Sequence, residues 1–131
     1  MTDIEFHRAF ESLKLEASKF HHRDHVQLTW LLVRGLGPAG AADELRTGIR
    51  NFAESHGQAE KYHDTITCFW VKLVGHMVET HPEVETFEEF ERCFPHALDK
   101  SLIFRHWSRT RLFSPEARAT WVEPDLLEIP F

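Results

Sequence analysis

Histidine is the residue type whose number and spacing carry chemistry in this chain, with ten imidazoles in 131 residues. His22 and His25 stand three apart at the head of an apolar run, Val26 to Val33. Residues three apart on a helix share a face, so both rings can point at one ion. His63 opens a second apolar stretch, Ile66 to Val74, and precedes Asp64. Imidazole is the commonest protein ligand for transition metals. A centre built from His22, His25 and His63 would take zinc, iron or copper and leave coordination positions open for water or substrate. The metal would activate water or dioxygen. Asp64 is the candidate base, or the acceptor that orients a ligating histidine. Tyr62, the single tyrosine, would line the pocket and donate a proton.

Each of these residues also has a plainer role open to it. Histidines at a helix start can be solvated and hydrogen-bonded, and His63 can bond a carbonyl or a buried carboxylate. Asp64 can serve only the positive end of a helix dipole, and Tyr62 can pack with its hydroxyl in water. His21 reads as exposed, His56 before Gly57 as ordinary electrostatics at a helix end, and His7, His76, His81 and His96 as surface or packing residues. A second chemical feature is the basic stretch Arg105-His106-Trp107-Ser108-Arg109-Thr110-Arg111. Arg105, His106, Arg109 and Arg111 are candidates to bind a carboxylate or phosphate on a small ligand, because guanidinium offers a bidentate fork. The other reading pairs them with acidic groups on neighbouring helices.

The elements that must position these groups read as helices throughout. Phe6, Phe10 and Leu13 mark a first amphipathic helix with Asp3 as N-cap. A second runs from His22 to Arg34 and stops at Gly35-Leu36-Gly37-Pro38. Pro38 suits the first turn of a third, which carries Ala42, Leu45, Ile49 and Phe52 and ends at Gly57. The fourth carries Ile66, Phe69, Trp70, Leu73, Val74 and Met77 and closes near His81-Pro82. Thr86-Phe87-Glu88-Glu89 is a capping box that starts a shorter helix bearing Phe87, Phe90 and Phe94. Pro95 interrupts it, and Leu98, Leu102 and Ile103 resume the pattern. Ser114-Pro115 starts a last helix, and Val122 to Phe131 is an apolar tail. The expected fold is therefore all-α: a single-domain helical bundle over residues 1–131, with five to seven helices and an irregular C-terminal tail. Leu28, Leu32, Phe52, Ile66, Trp70, Leu73 and Phe90 should form its core.

Bulk properties narrow the function classes. A 42% hydrophobic content argues for a packed core. A net charge of −6 argues against nucleic-acid partners. No apolar run reaches the ~20 residues that span a membrane. The start, Met1 to Glu5, lacks the basic-then-apolar pattern of a signal peptide, so a cytoplasmic location is expected. Cys68 and Cys93 read as buried thiols in a reducing compartment. A small-molecule ligand is the expected partner, and a homodimer is compatible with the sequence.

Two resemblances bear on function. His25, the pair His63-Asp64 and Asp99 resemble, in part, the metal-binding residues of HD-domain metal-dependent phosphohydrolases, which implies a metal held in a helical bundle. More extensively, Phe20-x-His22-x-x-His25, Gly48-Ile49-Arg50-x-Phe52-Ala53, His56-Gly57, Tyr62-His63-Asp64-Thr65-Ile66-Thr67 and Arg109-x-Arg111-Leu112-Phe113-Ser114-x-x-Ala117 are similar to a group of small bacterial proteins of unassigned function. The position of Asp64 looks like glutamate in that group. This likeness implies a helical fold and draws attention to the same histidines. The leading expectation is a small metal-dependent enzyme, hydrolytic or oxidative, acting on a small molecule. The alternative is a non-enzymatic small-molecule- or metal-binding module, a sensor or a partner subunit.

Overall fold

The computed structural model describes residues 2–131, with Lys19 described by its backbone alone. Among them the chain is helical, with no strand. Helix α1 (Asp3–Glu11) starts where Thr2 Oγ1 accepts the Glu5 N–H at 3.1 Å. The cap is thus Thr2, one residue before the expected Asp3; both types offer the side-chain oxygen that a first turn needs. Phe6 and Phe10 are its buried face, and Leu13 lies beyond it, exposed, at φ 62°.

Helix α2 (His22–Ser55) is two helices joined at one residue. Gly37 breaks it at φ 77°, ψ 169°, a conformation that a Cβ would strain, and Pro38 opens the second half with its fixed φ. Counting the halves separately gives seven α-helices, within the expected range. The Asp24 carboxylate reaches back to accept the His21 N–H at 2.9 Å, which fixes the first turn. At the far end Gly57, φ 67°, lets its own N–H reach the Glu54 carbonyl and the Gln58 N–H reach that of Ala53 at 2.7 Å. Helix α1 lies against α2 at Gly48, where a Cβ would stand 2.5 Å from Phe10 Cε2.

Helix α3 (Asp64–Thr80) is buried along most of its length and packs on α2. Helix α4 (Phe87–Cys93) is capped by Thr86, whose Oγ1 accepts the Glu89 N–H at 3.2 Å. After Pro95 the chain continues as 3-10 turns, Pro95–Leu98 and Lys100–Arg105. Two short helices follow, α5 (Arg109–Leu112) and α6 (Pro115–Ala119), with Ser108 and Ser114 as caps. The tail then folds back. Trp107 Nε1 donates to the Val122 carbonyl at 3.1 Å, Ser108 donates through N–H and Oγ to Asp125, and the Leu126 N–H donates to the His106 carbonyl.

Trp30, Trp70 and Trp107 centre one continuous core with Phe69 and Phe90. Of the expected core residues only Ile66 keeps partial exposure. Cys68 is buried, but Cys93, the last residue of α4, is exposed. No helix among the described residues is long and apolar enough to cross a membrane.

Candidate functional site

The first turn of α2 brings His22 and His25 together. Their rings are edge to face with centroids 6.5 Å apart. His22 Nε2 lies 3.1 Å from the Ala97 carbonyl, so this nitrogen carries the proton and donates. The neutral ring then keeps a lone pair on Nδ1. His22 also meets the Trp70 ring edge-on at 4.5 Å. His25 keeps an edge toward solvent as a residue, yet its Nε2 is fully enclosed. Among the described residues that nitrogen is the one buried side-chain nitrogen or oxygen without a hydrogen-bond partner. Burial, then the neighbouring His22, pushes the His25 pKa down to about 4. Burial also holds His22 below the usual imidazole value, against the Ala97 bond. Both rings are neutral near pH 7.

His63 does not join them. It is the N-cap of α3 rather than a residue of its inward face. Its Nδ1 accepts the Ile66 N–H at 3.2 Å, and its Nε2 donates to the Leu112 carbonyl at 2.6 Å. Both nitrogens are spent on the backbone, and burial holds the ring below its ordinary pKa. The expected centre of His22, His25 and His63 is therefore not formed. The one set of three potential ligands whose donor atoms all lie within 4.8 Å, among the described residues, is His7, Glu11 and Glu44. In the sequence His7 reads as a surface or packing residue; its spacing to Glu11, one helical turn, is the signal that points to the pair.

Tyr62 and Asp64 do meet, in a role other than the expected one. The Tyr62 hydroxyl is buried and donates to Asp64 Oδ1 at 2.7 Å. Arg46 Nε donates to the same oxygen at 3.0 Å, and Arg46 also reaches Cys68 Sγ at 2.9 Å. Burial and the adjacent Asp64 raise the Tyr62 pKa, and burial raises the Cys68 thiol. A phenol and a thiol held protonated around a carboxylate make a structural knot between α2 and α3. Asp64 orients no histidine here, because its oxygens face Tyr62, Arg46 and Cys68. Asp99, the fourth residue of the phosphohydrolase likeness, is exposed and accepts from the Ser101 N–H and hydroxyl.

The basic stretch divides. The Arg109 guanidinium stacks on Phe104 at 4.3 Å, and Arg111 Nε donates to the Glu123 carbonyl at 2.6 Å. Neither lines the cavity that Arg105 and His106 share, so the expected four-residue anion site is not formed as a unit. That cavity, of about 510 Å³, lies between α3 and the tail. Leu73 and Met77 of α3, Leu102, and Leu127, Pro130 and Phe131 of the tail supply its apolar walls; His76, His96 and Glu128 complete its polar lining. His106 is anchored by Nδ1 on the Leu127 carbonyl at 2.8 Å, and Phe131 stacks on His76 at 5.4 Å. The tail thus forms one wall, which helical periodicity could not foretell.

No family model, curated protein or solved structure matches the chain. The class established here is an all-α single-domain fold.

Proposed function

We propose that this protein is a small-molecule-binding module whose ligand is an apolar carboxylic acid, held in the cavity between α3 and the C-terminal tail. The observation that carries this reading is the cavity itself. Its volume of about 510 Å³ falls within the ~300–1,000 Å³ of ordinary ligand sites, which are mostly apolar with a few fixed polar groups. Arg105 supplies the fork that matches a carboxylate, and the tethered His106 supplies a ring of fixed orientation. The engagement of both His63 nitrogens weighs against the three-histidine enzyme centre and favours the binding module.

The test is a titration of the labelled protein with octanoate and phenylpropionate, against their neutral amides. The acids should move the backbone amide signals of Leu73, Met77, Leu102 and Leu127, and the amides should bind at least tenfold more weakly. Arg105→Gln should remove that preference, since a charge-assisted hydrogen bond is worth about 1.5–3 kcal/mol. Cavity signals that ignore every acid, or acid and amide binding equally well to the unaltered protein, would reject the reading.

A further inference from the structure

We propose that His22 and His25 hold one transition-metal ion of the imidazole-preferring class, zinc or copper, at the head of α2. Two observations independent of the cavity carry this. The first is the enclosed Nε2 of His25, which no described group satisfies. Buried polar atoms in native structures are nearly always paired, so such an atom calls for a ligand. The second is the setting of His22. Its Nε2 is held by the Ala97 carbonyl at 3.1 Å. A backbone carbonyl on the far nitrogen is what orients a metal-binding imidazole and leaves the other nitrogen as the donor. The rings stand edge to face, 6.5 Å apart between centroids. Phe20 at 6.1 Å from His25 and Trp70 at 4.5 Å from His22 wall the site with aromatic surface.

Two neutral imidazoles suit zinc and copper, with water completing the coordination. The positive end of α2 opposes a cation. Lys100 adds to that opposition and acts on the His22 charge more strongly than Asp99, which together with Asp24, tied to the His21 N–H, offsets part of it.

His7, Glu11 and Glu44 are the competing ligand set. His7 Nε2 already meets Glu11 at 2.6 Å as a helical ion pair on the surface, and this explains their proximity without an ion. The experiment therefore uses His7→Gln as its background. Zinc chloride is titrated while the ring nitrogens are read by long-range proton–nitrogen correlation, residue by residue. One equivalent should shift His22 Nδ1 and His25 Nε2. His22→Gln, whose amide can still donate to the Ala97 carbonyl, should bind at least tenfold more weakly with an unchanged melting temperature of the metal-free protein. Copper(II) should broaden the same signals. The proposal is overturned if His7→Gln abolishes zinc binding, if zinc leaves the His22 and His25 nitrogens unmoved, or if His22→Gln binds zinc as well as its parent.

Discussion

Replacing His25 by leucine should flatten the acid side of the stability profile. The folded protein holds the His25 pKa at about 4, against 6.5 for a free imidazole, because burial disfavours the charged ring. Between those values the unfolded chain binds more protons than the folded one, so stability falls as pH falls. The contribution is complete above pH 6.5 and stops declining below pH 4. With these two values, lowering the pH from 7 to 5 removes about 2 kcal/mol through this group alone. His22 and His63 are also held below the usual imidazole value by burial and act in the same direction. In His25→Leu the His25 share disappears. At pH 7 the variant also loses the unpaired nitrogen, a relief of about 1–3 kcal/mol. Lost contact with the Phe20 ring offsets part of that relief. The variant should therefore match or slightly exceed the parent at pH 7 and lead by about 2 kcal/mol more at pH 5. Urea denaturation at both pH values, with a chelator present, measures this directly. Parallel pH dependences in parent and variant would refute the reasoning, since His25 would then titrate normally in the folded state.

Other substitutions probe the scaffold around the site. His63→Ala leaves the Leu112 carbonyl without its donor and the Ile66 N–H uncapped, and should lower stability in urea by about 2–4 kcal/mol. His63→Asn restores the cap but not the long reach, so it should recover about 1 kcal/mol; equal losses would show that the ring does not clamp α3 to Leu112. Trp70→Ala should cost about 3–5 kcal/mol and shift the ring protons of His22, whose edge it meets. A loss under about 1 kcal/mol would remove Trp70 from the core.

Helix boundaries were legible in the sequence wherever a local rule set them. Gly37-Pro38, Gly57, Thr86 and Ser114-Pro115 each fix a start or stop through backbone geometry or a cap within a few residues. The histidine pair was legible for the same reason, because His22 and His25 are one turn apart. What the sequence could not carry were partners that have no side-chain signature. His63 reaches the carbonyl of Leu112, 49 residues away, and His22 that of Ala97, 75 residues away. Any residue type supplies a carbonyl, so no pattern announces either bond. The pairing of Arg46 with Asp64 was hidden in another way. It depends on the rotation of the second half of α2 about the Gly37 break, which periodicity within each half does not determine.

The same bonds separate scaffold from candidate site. A buried imidazole has two nitrogens to satisfy. His63 satisfies both on backbone groups and so acts as a fastener between α3 and Leu112. His22 fixes one on the backbone and is oriented without being used up. His25 leaves an enclosed nitrogen open. An unpaired buried polar atom costs about 1–3 kcal/mol, a substantial part of the ~5–15 kcal/mol that holds a domain folded. A leucine at residue 25 would continue the apolar stripe of α2 without that cost. The imidazole is thus harder to explain as packing than as a donor with something to bind, and the open nitrogen marks the head of α2 as the place to look for it.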